Sequence, residues 1–228
     1  MSHELSVQQH LREISLNRCI PHNHVQYLWD LKKSGFEPKV IYDIGACVLH
    51  WYTEAKMVWP DAQVVVFDAM DNVEFLYNEK NIPHHMGVLS DEDGKEVKFY
   101  QNDTHPGGNS YYREIGCENG KYFPVEKYIV KTTHRLDTVV ERMGIPLPDL
   151  IKIDVQGAEM DILRGAPNTL AHATELIVEL QNTQYNEGAL LAHESLPLIE
   201  AMGWKCVAPL FQNNGPDGDY GFSKRTSA

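Results

Sequence analysis

Residues 40–68, VIYDIGACVLHWYTEAKMVWPDAQVVVFD, constrain the fold more than any other stretch. Val40-Ile41-Tyr42 is a short apolar run bounded by Pro38 and Gly45, the pattern of a buried parallel strand. Gly45-Ala46 is a small pair that lets the chain turn sharply and lets a ligand approach the backbone. The next segment reads as a helix that stops at Trp59-Pro60, because proline cannot continue it. A second apolar run, VVVF, then ends in Asp68. The unit is βαβ, and sheets built this way hold ligands at the carboxyl ends of their strands.

The turn discriminates between ligands. A dinucleotide pyrophosphate needs G-x-G-x-x-G, so that it can lie on bare backbone and a helix N-terminus. Only Gly45 is present; the later small positions hold Cys47 and Leu49, and Leu49 would crowd a pyrophosphate. S-adenosylmethionine has no phosphate. Its sulfonium and amine suit Asp43, and its ribose hydroxyls suit an acid ending the second strand, where Asp68 stands. An unspecialised α/β turn is the plainer alternative.

Along the rest of the chain, residues 1–36 read as a helical lead-in, with an amphipathic helix over 22–34 that carries Val25, Leu28 and Trp29 on one face. A helix over 71–81 and a third strand over 83–90 follow. His84-His85 resembles a metal pair, but adjacent strand residues point to opposite faces. VKFY and VEKYIVKTT read as strands flanking a long tyrosine-bearing segment; the whole insertion, 96–133, reads as a substrate-side lid or a surface hairpin. A short helix LDTVVERM, a fourth strand ending at Asp154, a helix from Glu159, a fifth strand ELIVELQ holding Glu179, and a helix over 189–202 come next. WKCVAPLF and YGFSK form a sixth strand and an antiparallel seventh. The expectation is one α/β unit over 1–228: a mostly parallel seven-stranded sheet with helices on both faces and an inserted strand–loop segment. Asp43, Asp68, Ser90, Asp154 and Glu179 then share one sheet edge.

Composition excludes other classes. The net charge of −12 disfavours a nucleic-acid groove and an anionic membrane surface. Four scattered cysteines, Cys19, Cys47, Cys117 and Cys206, indicate neither a zinc site nor a disulfide framework. No apolar run approaches the ~20 residues of a membrane span, and MSHELSVQQH has no signal-peptide core, so the expected location is cytoplasmic.

VIYDIGA, VVVFDA, VLSDEDG, IKIDVQGAEMDILRG and LIVELQ together resemble the FkbM-type S-adenosylmethionine-dependent methyltransferases over roughly residues 38–205. IKIDVQGAE followed by ILRG is the most specific element. The resemblance implies a class I Rossmann-like fold and methylation of a hydroxyl oxygen, most readily of a sugar or glycan. It implies that Asp43, Gly45 and Ala46 cradle the methionine end of the cofactor, that Asp68 takes the ribose, that Leu89-Ser90 flank the adenine, and that Asp154 lies beside the transferring methyl. Cys47 and Ala69 stand where the family carries Asn and Pro, and complete the cofactor-binding set. Carboxylate or nitrogen acceptors, and a non-catalytic cofactor-binding scaffold, are the alternatives.

An unperturbed Asp is a poor base for an alcohol. Three solutions stand open: burial raises Asp154, a histidine such as His105 or His134 acts as base, or Asp154 and Glu179 hold a divalent cation, which is not the favoured route. A purely structural alternative has Asp154 accepting the turn amides at Gly157-Ala158, with Glu159 serving a helix N-terminus. The acceptor's identity and the oligomeric state are not legible.

Overall fold

The computed structural model describes residues 3–17 and 22–224; Cys19 lies outside them. Two helices lead in, α1 (His3–Leu16) and α2 (His22–Lys33). The βαβ unit follows as β1 (Val40–Ile44), α3 (His50–Val58) and β2 (Gln63–Asp68). Next come α4 (Glu74–Glu79), β3 (His84–Met86), β4 (Val88–Ser90), β5 (Glu96–Phe99) and β6 (Ile129–Arg135). The second half is α5 (Leu136–Met143), β7 (Leu150–Ile153), α6 (Glu159–Arg164), α7 (Pro167–His172), β8 (Glu175–Gln181), α8 (Ala192–Ala201), β9 (Lys205–Asn213) and β10 (Asp217–Ser223).

The main sheet has seven strands in the order β3-β2-β1-β7-β8-β10-β9. All neighbours are parallel except β10, which runs antiparallel between β8 and β9. Alternate side chains of each strand enter two cores. Tyr42, Val65, Phe67, Ile151 and Val178 pack with α5–α8 on one face. Ile41, Val64, Val66, Leu150 and Ile177 pack with α1–α4 on the other. The expected layering, with helices on both faces, is therefore present.

Two expectations need correction. The strand expected over 83–90 breaks at Gly87: β3 pairs with β2, whereas β4 leaves to pair with β6 in a separate three-stranded sheet, β4-β6-β5. A Cβ at Gly87 would meet His85 Nε2 at 2.8 Å, so a larger residue there requires the His85 ring to move. The single helix expected from Glu159 ends at Arg164, and a second one follows. Pro167 opens α7, because a first-turn proline gives up no intrahelical bond. Asp137 caps this helix from α5, accepting the amides of Asn168 and Thr169 at 2.9 Å each.

The face under α2 and α3 is not wholly apolar. Asp43, Lys152 and Asp219 point into it from β1, β7 and β10, with Glu54 from α3 and His24 from α2. His24 Nε2 lies 2.8 Å from Asp219 Oδ2. Glu54 is 3% exposed, and its Oε2 has no hydrogen-bond partner. Burial raises its pKa to about 7, against the pull of His24 and Lys152. A folded-state pKa above the unfolded value means that the folded protein holds the extra proton between roughly pH 4.5 and 7. Stability therefore declines as pH rises through that window. Glu54→Gln is expected to leave stability unchanged near pH 4 and to raise it by up to about 3 kcal/mol at pH 8, as read by urea denaturation at both pH values.

Candidate active site

Three strand ends are bound together where β1 turns. Gly45 sits at φ +84°, and a Cβ there would lie 1.7 Å from the Asp154 carbonyl oxygen, so the turn after β1 passes directly against the end of β7. The Gly45 and Ala46 amides donate to the Phe67 carbonyl at the end of β2, at 2.9 and 3.2 Å. The Asp154 amide donates to Ile44 at 3.0 Å. Helix α3 then begins without the further glycines of a dinucleotide turn, and Cys47 and Leu49 adopt positive φ themselves, 43° and 68°. Left-handed backbone costs such residues about 1–2 kcal/mol each. The Cys47 peptide is held on both sides: its amide donates to Asp68 Oδ2 at 2.7 Å, and Tyr77 Oη donates to its carbonyl at 2.7 Å.

A cavity opens above these strand ends. Gly45 and Cys47 line it from β1, Asp68 and Ala69 from β2, and Asp154, Val155 and Gln156 from β7. Gly87, Val88 and Leu89 close one side. Pro106, Gly107, Asn109, Ser110 and Tyr111 cover it, so part of the 96–133 segment forms a wall of the cavity. The covering segment is tied down from both directions. Tyr111 and Tyr112 both donate to Asp161 Oδ2 at 2.8 Å, and Asn186 Nδ2 donates to the Tyr112 carbonyl at 2.7 Å. Lys131 Nζ reaches the Ala69 carbonyl at 2.6 Å. Each such bond contributes about 0.5–1.5 kcal/mol. Asp161→Ala is expected to release both tyrosines and to speed tryptic cleavage at Arg113 and Lys121 several-fold, with some loss of thermal stability.

The expected site residues divide into two groups. Gly45, Cys47, Asp68, Ala69, Leu89 and Asp154 meet on the cavity wall. Asp43 does not: it is fully buried beneath Gly45, opposite Lys152 of β7, with neither carboxylate oxygen hydrogen-bonded. Burial raises its pKa to about 7 despite Lys152. Ala46 is buried behind the turn. Ser90 is buried off the wall, its Oγ 3.2 Å from Tyr111 Oη. His134 stands in β6 with its ring against His85, centroids 5.6 Å apart. His105 stacks on Tyr122 and lies 3.5 Å from the buried Glu114, one residue outside the wall.

Glu179 stands beside Asp154: Gln156 Nε2 donates to Asp154 Oδ1 at 3.1 Å and to Glu179 Oε2 at 2.6 Å, and Asn214 Nδ2 donates to Glu179 Oε1 at 3.1 Å. The Gln156 amide thus bridges the two carboxyl groups that a divalent cation would have to share. Among the described residues no three His, Cys, Asp or Glu side chains converge to hold a metal ion.

The expected route to a basic Asp154 is reversed. Burial does push its pKa up, but the Lys152 ammonium, the proton on Glu179 and the Gln156 amide outweigh it and bring the group down to about 2. Glu179 is pushed the other way, first by burial and then by the charge on Asp154. Opposed shifts of this kind favour a charged Asp154 beside a Glu179 that takes up a proton more readily than usual. Asp154 is also not the strap of its own turn. The Val155 and Gly157 amides go to Glu159 Oε1, at 3.1 and 3.0 Å. Lys152 was not singled out from sequence, although a lysine two residues before an aspartate in an otherwise apolar strand places both on one face.

A parallel sheet of this order, with an antiparallel strand next to one edge and carboxylates at the ends of its central strands, is the Rossmann-like architecture of methyltransferases. Residues 43–206 match the methyltransferase FkbM domain, and the chain belongs to that family. It is 32% identical over 87 residues to 2-O-methyltransferase NoeI of Sinorhizobium fredii, covering 38% of this chain and 34% of that protein. It is 27% identical over 146 residues to Methyltransferase 1 of Beauveria bassiana, covering 55% and 57%. The chain thus spans between a third and somewhat over half the length of these curated relatives. Among solved structures, human N-acetylserotonin methyltransferase in complex with SAM superposes with a TM-score of 0.51 at 12% identity, over 98% of this chain and 57% of that one. Cofactor-bound Rv0187 from MTB gives 0.51 at 9% identity, over 100% and 92%. At these identities the likeness is one of fold. No helix among the described residues is long and apolar enough to cross a membrane.

Proposed function

We propose that residues 1–228 work as one cytoplasmic S-adenosylmethionine-dependent O-methyltransferase unit acting on the hydroxyl of a small-molecule or glycan acceptor, a sugar before others. One observation carries this reading: the Asp154 carboxylate, its side chain 29% exposed and 2.6 Å from the Lys152 ammonium, on the wall of a cavity formed by the ends of β1, β2 and β7. That wall suits a cationic donor and offers no phosphate cradle. The residues present fit the cofactor. Gly45 allows close backbone approach, and Asp68, although it accepts the Cys47 and Met70 amides, keeps lone pairs for ribose hydroxyls.

When bound, the cofactor supplies a methyl group on a cationic sulfur that is already a good leaving group. The chain's own contribution is to hold an acceptor oxygen in line with that methyl, which is worth roughly 7–11 kcal/mol in well-oriented systems. Asp154 is too weak a base to deprotonate an alcohol beforehand. It is basic enough to take the proton late, because a protonated ether oxygen is a far stronger acid than any carboxylic acid. Asp154 therefore orients the hydroxyl through a hydrogen bond and receives its proton as the new C–O bond forms. The amides of Gln156 and Asn214 and the carboxyl of Glu179 stand beside it as hydrogen-bonding groups suited to a polyol. The 2-O-methyltransferase name of one relative supports a hydroxyl acceptor.

The test is a methyl-transfer assay with labelled S-adenosylmethionine on a panel of free and glycan-linked sugars, alkyl amines and carboxylates, with and without chelator. Transfer to sugar hydroxyls that survives chelation is the expected result. Transfer only to amines or carboxylates would displace the acceptor assignment.

A further inference from the structure

A buried ammonium in the middle of a strand needs an explanation that stability does not supply, because an ion pair taken out of water is often no better than an apolar pair of similar volume. Lys152 is 4% exposed and stands in β7 directly opposite Asp43 of β1. Its Nζ lies 2.6 Å from Asp154 Oδ2. Asp154 is on the cavity wall and Lys152 is behind it. The other Asp154 oxygen accepts from Gln156, so the carboxylate is held from two sides. The geometry points to Lys152 as a positioning residue that acts through Asp154: its ammonium keeps that carboxylate charged and fixed, so that the wall presents a permanent negative charge to the cationic end of the methyl donor. This inference rests on the S-adenosylmethionine reading above.

The surroundings make the ammonium necessary. Facing Asp154 are Asp43 from β1, Glu179 from β8, Asp217 from β10 and Glu159 from α6. Around Lys152 in the core under α2 and α3 are Asp43 of β1, Asp219 of β10 and Glu54 of α3, with His24 of α2 bonded to Asp219. Crowded carboxylates in a dry setting take up protons. Glu179, which lacks a direct ammonium contact, is pushed up accordingly. Without Lys152, Asp154 would meet the same fate and face the donor as a neutral acid.

The test compares wild type, Lys152→Met, Asp154→Asn and the double variant by calorimetry with S-adenosylmethionine from about pH 8.5 to about pH 5.5. On going to the lower pH, Lys152→Met is expected to lose at least about 10-fold more affinity than wild type, one pKa unit of protonation being tenfold. In the Asp154→Asn background the lysine substitution is expected to add no such slope. A Lys152→Met protein whose affinity follows the wild-type pH course, whether equal to wild type or uniformly weaker, would show that the lysine only packs, and would overturn the inference.

Should Lys152→Met not fold, Lys152→Gln keeps a donor to Asp154 without the charge. A carbon-13 carboxyl titration needs no ligand. The Asp154 resonance, identified by its loss in Asp154→Asn, is expected to stay at its ionised position down to about pH 5 in wild type and to titrate above that in Lys152→Met or Lys152→Gln; a wild-type midpoint above about pH 5, or a variant midpoint no higher than wild type's, overturns the inference. If wild type binds neither S-adenosylmethionine nor S-adenosylhomocysteine, it is the functional reading that falls, and the carboxyl titration still decides the role of Lys152.

Discussion

Asp154→Asn is expected to reduce methyl transfer by at least about 100-fold while destabilising the protein by about 3 kcal/mol. The two effects have different origins. The stability loss arises because the buried Lys152 ammonium loses its 2.6 Å partner. Breaking a buried pair typically costs about 3–5 kcal/mol, and the lower end applies because Asp43, opposite Lys152, can ionise in compensation. The activity loss arises because an amide neither balances a cationic donor nor accepts the hydroxyl proton. Urea denaturation and single-turnover kinetics separate the two. The double variant Lys152→Met with Asp154→Asn is expected to regain most of the stability and none of the activity, since it removes both buried charges together.

Gly45→Ala is expected to be more damaging than its size suggests, by about 4 kcal/mol or more, with cofactor binding lost. The new Cβ would lie 1.7 Å from a backbone oxygen, which no rotamer change relieves, and φ +84° adds about 1–2 kcal/mol for any residue with a Cβ. Relief requires β1 and β7 to separate where Asp154 enters the cavity. Gly94 is the control. It has nearly the same φ, +81°, with open space around it, so Gly94→Ala is expected to lose only the backbone contribution and to bind cofactor normally. Denaturation curves of the two variants, compared side by side, check the contrast.

Much of the architecture was legible because it is written in local pattern. The strand over 175–181 and the helix over 136–143 fall where alternation, glycine and proline place them. The order of the strand ends follows from the βαβ rule. What was not legible depends on contacts far apart in sequence. The split at Gly87 follows from the pairing of β4 with β6, some 45 residues on. The start of α7 is set by Asp137, about 30 residues earlier. The covering of the cavity depends on tyrosines at 111 and 112 finding Asp161. Asp154 was visible as a strand-end acid, but its charge state was not. Burial and a neighbouring ammonium act in opposite directions on a carboxylate, and only the Lys152 distance shows which prevails.

The most direct measurement is calorimetric titration of the wild-type chain, at neutral pH, with S-adenosylmethionine, S-adenosylhomocysteine and NAD. Saturable one-to-one binding of the two sulfur nucleosides, absent with NAD and sharply weakened by Asp154→Asn, is the expected result. Binding of NAD alone, or of none of the three by a folded protein, would contradict a cavity built around a cationic methyl donor.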